Sequence, residues 1–407
     1  MTTRCSSHGD SGCMRTESSA AGVIGPRGSP HRLGHVDLLR DLQGRSQVFS
    51  NLTPNWYASV MGTGIVAVAA VSLPWQPRGL HIGALVVWAL AAFLLLALTA
   101  ATVMYWVRNP GAARRNLLNP VMAHFYGAPP MALLTVGAGT ILLGRDVVGL
   151  RAAIDIDWVL WFAGTLTGLA AAAVVPFFTF TRHDVKPDSA FGGWLMPVVP
   201  PMVSASTGAL LVPYAPAGQA RLALLLSCYA MFGLSLLASI VVITLIWHRL
   251  ALYKTGDATM VPTLWIVLGP LGQSIAAANL LGDVDHSVLP APYSSALQAL
   301  GVVYGVPVWG FAVLWGAIAG AVTVRTARKH LPFSLTWWSF TFPVGTFVLG
   351  TSELARHTES NLFRVAAVVL YLGLVVAWIT VALRTGRGSL RGTLFRAAAS
   401  SVPPPRL

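Results

Sequence analysis

The chain has 407 residues, of which 55% are hydrophobic and only 10% charged, and its mean hydropathy is +0.66. A soluble domain carries about 25% charged residues, so this chain cannot clothe its surface in water and belongs in a bilayer. The net charge of +13 does not indicate a nucleic-acid partner, because the basic residues are scattered between apolar stretches instead of gathering on one solvated face.

Residues 1–53 are rich in Ser, Gly, Arg and His and hold no apolar run long enough for a secretory signal. They are expected to form a disordered, basic cytosolic tail. Cys5 and Cys13 fall in this tail and Cys228 in an apolar run, so neither a disulfide framework nor a metal cluster can be drawn. No metal or cofactor is expected.

From residue 54 to about 383 the chain reads as one all-α polytopic membrane domain. Crossing about 30 Å of hydrocarbon takes roughly 20 apolar residues. Ten such runs occur, at about 56–73, 80–106, 119–143, 156–180, 194–213, 220–247, 261–281, 294–323, 335–353 and 362–383. Residues 384–407 follow as a basic, proline-ending cytosolic tail.

Basic loops stay in the cytosol. With the N-terminus inside, 21 of the 27 Lys and Arg are cytosolic, leaving Arg78, Arg145, Arg151, Arg221, Arg356 and Arg364 outside. Adding or removing one span would put the basic loops on the wrong side, so an even count with both termini cytosolic is expected, in the plasma membrane. Acids divide seven and seven, which makes the cytosolic side about +14 and the outer side about −1. That asymmetry serves insertion and attraction to anionic lipid, and it also concentrates anions at any cytosolic opening.

Prolines at the odd-numbered spans recur evenly, at Pro54, Pro129, Pro200, Pro270 and Pro343, with spacings of 75, 71, 70 and 73 residues. Each interval holds one helical hairpin, so the chain reads as five hairpins in series. Helix breakers concentrate in the same odd spans, among them Gly62, Gly64, Gly127, Gly208 and Gly345, while even spans hold mainly Pro176 and Pro307. A broken helix survives in lipid only where protein or a water-filled cavity meets the freed backbone groups. The odd helices are therefore expected to form an inner ring, kinked at these residues, with the even helices facing lipid.

Ionisable residues inside a membrane usually mark relays, ion paths or cofactor ligands. Here the candidates are His124 near the start of span three and Glu353 at the end of span nine. No paired haem ligands and no clustered nucleophile and base are apparent, so an enzyme is not expected. What remains is a conduit with uncharged walls of small residues, hydroxyls such as Ser204, Ser206 and Thr207, and aromatics. Peptide dipoles at its helical breaks suit anions; cation passage would call for a carboxylate ring.

The stretches 54–66 (PNWYASVMGTGIV), 124–130 (HFYGAPP), 194–208 (WLMPVVPPMVSASTG), 262–274 (PTLWIVLGPLGQS) and 337–347 (WWSFTFPVGTF) resemble one family throughout. It joins the tellurite-resistance protein TehA, the slow-type anion channel of plant guard cells, the fungal malate permease and the fungal sulfite exporter. The resemblance covers residues 54 to about 383 and implies ten helices as five hairpins in a quasi-fivefold arrangement around a central pore, assembled as a homotrimer. It implies as well that Phe342, immediately before Pro343, plugs the pore at mid-membrane.

Passive or gated movement of a small inorganic or organic anion (sulfite, chloride, nitrate, tellurite or a C4-dicarboxylate) follows as the expected function. Two alternatives stay open from the residues alone: a proton-coupled carrier of sulfite or dicarboxylate with His124 or Glu353 as the titrating group, and a non-transporting membrane receptor or scaffold.

Overall fold

The structure, a computed structural model, describes residues 52–284 and 288–395. Residues 1–51 of the expected N-terminal tail, and the C-terminal tail from 396 onward, lie outside the described residues. Among the described residues every regular element is helical.

Five long helices share one character: α2 (Leu80–Arg108), α6 (Leu150–Thr181), α8 (Gln219–Tyr253), α10 (Tyr293–Ala327) and α12 (Asn361–Arg391). At 29 to 35 residues and about 1.5 Å per residue, each exceeds the roughly 30 Å hydrocarbon core. They are apolar nearly all round, and only 22% to 33% of each hydrophobic window is buried within the protein. The rest is hydrocarbon surface that only lipid or another chain can cover. Helix α12 runs on to Arg391, so the first residues of the expected C-terminal tail are helical.

The intervening segments are built differently. Each opens as a 3₁₀ helix and continues as an α-helix. Pro54–Trp56 leads into α1 (Tyr57–Ser72), Met122–Gly127 into α4 (Ala128–Gly139), Gly192–Leu195 into α7 (Pro200–Leu211), Ala258–Val267 into α9 (Leu268–Val284), and Leu335–Phe340 into α11 (Phe342–Thr358). Five short helices or turns complete the described residues: α3 (Ala112–Leu118), α5 (Arg145–Val148), a π-helical turn at Thr140–Gly144 that prolongs α4, and 3₁₀ turns at Val212–Tyr214 and Thr393–Phe395.

The sequence places the repeated prolines as kinks; the structure places them elsewhere, for a local reason. Pro129, Pro200, Pro270 and Pro343 all lie in the first turn of α4, α7, α9 and α11, and Pro54 opens the 3₁₀ turn before α1. The first turn has no intrahelical acceptor for its N–H groups, so a residue without one costs nothing there. The prolines thus mark the change from 3₁₀ to α geometry. Pro176 and Pro307 sit inside α6 and α10, which continue through them.

Consecutive elements pair as hairpins: α1 with α2, α4 with α6, α7 with α8, α9 with α10 and α11 with α12. The broken segments also touch one another in a closed cycle, α1 on α4, α4 on α7, α7 on α9, α9 on α11 and α11 back on α1. Their five 3₁₀ segments repeat the same cycle. Burial follows: 83% of the first broken span, 67% of the second and 89% of the fourth lie inside the protein.

Among the described residues eight helical stretches are long and apolar enough to cross a membrane; α7 and α11, at 12 and 17 residues, fall short of that measure. Outer helices reach in to satisfy inner backbone. Trp161 of α6 donates its indole N–H to the Ser204 carbonyl at 2.9 Å, Trp315 of α10 to Leu264 at 2.8 Å, and Ser235 of α8 donates to Val198 at 2.6 Å. Each such bond between membrane helices contributes about 0.6 kcal/mol.

Close approach of backbones sets the glycine positions. A Cβ on Gly127 would lie 1.8 Å from the Met196 carbonyl oxygen, which belongs to the neighbouring broken segment and cannot step aside. Gly127→Ala is expected to cost about 1–3 kcal/mol, whereas Gly310→Ala on α10, whose Cβ meets nothing within 4 Å, should gain up to about 1 kcal/mol of helix propensity. Thermal unfolding in detergent checks both; equal behaviour of the two variants would contradict this packing.

Candidate functional site

The cycle of broken helices encloses a cavity of about 590 Å³. Every member of the cycle lines it: Ile65 and Val68 from α1, Thr135 from α4, Ser206 and Thr207 from α7, Gln273 from α9, and Phe342, Ser352 and Glu353 from α11. Its depth is free of charge and carries hydroxyls and one carboxamide. The Gln273 Nε2 group donates to the Ser206 hydroxyl, while Gln273 Oε1 and the Ser352 hydroxyl have no protein partner. These polar groups face a space that can hold water or a solute.

Beneath it lies a second space of about 20 Å³, walled by Ala58, Met61, Phe125, Met131, Met196 and Ile266. Phe342 lines both and, at 2% exposure, is buried between them. Its position follows from local structure: it is the first residue of α11, directly after the 3₁₀ turn, and Pro343 fixes the backbone behind it.

The wide cavity opens beside a charged cluster. Arg356 bonds Glu353, with Nε 3.1 Å from Oε2, and Nη2 also meets Asp283 of α9. His357 Nε2 lies 2.8 Å from the other Asp283 oxygen, and its Nδ1 lies 3.0 Å from the Glu353 carbonyl. Both ring nitrogens face acceptors, an arrangement that the imidazolium form satisfies. Two cations therefore balance two carboxylates, with Glu359 and Arg364 also at the rim.

The other residues singled out from sequence are distributed as follows. Pro343 joins Phe342 at the lower space. Gly62, Gly64, Gly208 and Gly345 are buried where helices cross, against Thr341, Thr135, Cys228 and Ile65 respectively. Gly127, Pro129, Pro200 and Pro270 line neither space. His124 also lines neither; it is buried and stacked on Trp194 with ring centroids 5.8 Å apart, with Phe191 edge-on at 5.6 Å. Glu353 lies at the cavity mouth in the cluster just described.

Sequence reasoning missed Asp157. It falls at the edge of the expected run 156–180 and is counted with the outer-side acids, without being singled out; in the structure it lies within α6, fully buried and with neither carboxylate oxygen bonded. The link from the preceding helix is Gly149 alone, so no loop exists to hold it. Gln273 and Asn279 were also passed over, although each is a carboxamide in a run of apolar and small residues, a signal visible in the sequence.

A cycle of broken helices around a polar cavity, jacketed by apolar helices, defines a multi-pass membrane transporter. The family model described as voltage-dependent anion channel, SLAC1, matches residues 51–386, and the chain belongs to that family. It is an anion transporter and not an enzyme.

Among its relatives, the sulfite efflux pump SSU1 of Arthroderma otae is 28% identical over 353 residues, covering 85% of this chain and 93% of its own. An uncharacterized transporter of Methanocaldococcus jannaschii is 24% identical, covering 88% and 99%. The malic acid transport protein of Schizosaccharomyces pombe is 23% identical, covering 82% and 77%.

Removing Arg356 leaves an uncompensated negative charge at the cavity mouth. Arg356→Gln should slow anion flux in liposomes roughly fivefold at low salt, the weight of about 1 kcal/mol for a unit charge a few ångströms away in water, with the deficit shrinking as salt rises. Flux equal to wild type at low salt would contradict this role.

Proposed function

We propose that the chain carries a small anion of the sulfite class along the axis of the five-helix cycle, and that the Phe342 ring is the gate. One observation carries this reading: Phe342 borders both the wide cavity that holds the hydroxyls and the carboxamide and the narrow space beneath it. Its neighbours in the lower space are apolar apart from Ser339, so water finds little to bond there until the ring moves. Hydroxyls and the Gln273 carboxamide above the ring would replace part of an anion's hydration shell without holding it tightly, which suits fast exit.

Sulfite is favoured over a dicarboxylate by the 28% identity to the sulfite efflux pumps of Arthroderma and Trichophyton, against 23% for the malic acid transporter, although the Candida albicans sulfite efflux pump is also 23% identical. In this reading α7 and α11, extended by their 3₁₀ segments, complete ten crossings as five hairpins. The cytosolic termini are supported by the distribution of basic loops, and the membrane in this reading is the plasma membrane. The homotrimer rests on family resemblance alone.

A proton-coupled carrier is the second reading, and what favours it is the placement of Glu353 at the cavity mouth beside Arg356. A pH gradient separates the two. A channel conducts sulfite indifferently to one, whereas a carrier is driven by it and, with a sulfite gradient alone, moves protons together with sulfite.

Phe342→Ala should raise sulfite flux in proteoliposomes roughly tenfold or more, equivalent to taking about 1.4 kcal/mol off the barrier. Unchanged flux from a protein that is normally folded and inserted would overturn the gate.

A further inference from the structure

Away from the central cavity, a groove of about 520 Å³ opens between α2 and α6, on the flank of the cycle. Its volume falls within the roughly 300–1,000 Å³ of ligand sites, and nothing in the transport reading uses it. The walls are mainly hydrocarbon, supplied by Ala170 and Val174 of α6 and Trp106 of α2. One end carries Arg114, on the short helix α3 that follows α2.

The charge environment is one-sided. Among the described residues no carboxylate lines the groove, and the sequence has no Asp or Glu between residues 42 and 145. Arg114 is therefore not neutralised from its own groove, unlike Arg356 at the cavity mouth. A cation above an apolar slot that opens beside lipid-facing helices matches an amphiphile with an anionic head and hydrocarbon chains.

We propose that this groove binds an anionic phospholipid of the surrounding bilayer, with Arg114 at the phosphate and an acyl chain between α2 and α6. The floor of the groove gives the site a bearing on transport. Tyr57 of α1 and Pro129 and Pro130 of α4 face the groove, while their neighbours Ala58 and Met131 face the space beneath Phe342. A lipid seated there leans on two of the helices that frame the constriction. That consequence rests on the Phe342 gate; the binding does not.

The test is native mass spectrometry and thermal unfolding of the purified full-length protein supplied with phosphatidylglycerol or phosphatidylcholine. Wild type should retain phosphatidylglycerol with roughly fivefold preference, the weight of one arginine beside an anionic headgroup, and unfold at a higher temperature with it. Arg114→Gln and, separately, Ala170→Phe, which fills the slot, should each abolish the preference while unfolding at the wild-type temperature in phosphatidylcholine. Either variant decides the matter if the other does not accumulate. Equal retention of the two lipids by wild type, or a preference that survives the substitution, overturns the site whether or not Phe342 gates the path.

Discussion

A bilayer offers no water to an unpaired backbone amide, and the arrangement of this protein follows from that constraint. Five of its helical segments begin as 3₁₀ turns and change to α geometry at or near a proline, where the regular α ladder of hydrogen bonds is interrupted. Such segments cannot face lipid. They are gathered inside, where side chains of the outer helices, Trp161, Trp315 and Ser235 among them, donate to their carbonyls. The unbroken helices need no such help and take the lipid-facing positions.

The functional site is a by-product of that sorting. Five broken helices packed in a cycle cannot fill the axis completely when their facing residues are small, and the cavity that remains is lined by groups from all five. Its polarity comes from uncharged side chains, while charge is confined to the mouth, where Asp283, Glu353, Arg356 and His357 hold one another. The single bulky ring at the floor of the cavity occupies the place where the 3₁₀ turn before α11 ends. Local backbone geometry and the position of Phe342 thus have one cause.

Much of this is legible in the sequence because helix breakers and charges are sparse enough to be read individually. The even spacing of Pro54, Pro129, Pro200, Pro270 and Pro343 exposes the five-hairpin repeat, and the crowding of Gly and Pro into alternate runs separates inner from outer helices. What the sequence cannot convey is contact across distance. Asp283 and His357 meet from 74 residues apart, and the backbone contact that makes Gly127 necessary is with Met196, so neither has a local signature. Asp157 lies at the edge of the 156–180 run and reads as an interfacial acid; only the one-residue link at Gly149 shows how far inside α6 it sits. The even spacing marks the prolines, but periodicity alone does not distinguish the first turn of a helix from its middle.

The central claim, that the anion travels along the axis of the five-helix cycle, is tested most directly by blocking that axis chemically. Ser206→Cys places a thiol in the wide cavity, and Arg78→Cys places one on the exposed loop before α2; both are made with Cys5 and Cys13 replaced by Ser, and the native Cys228 is fully buried. With a bulky charged thiol reagent and sulfite flux as the readout, modification at Ser206→Cys should abolish transport while modification at Arg78→Cys leaves it intact. Full modification at Ser206→Cys with undiminished flux would contradict the account.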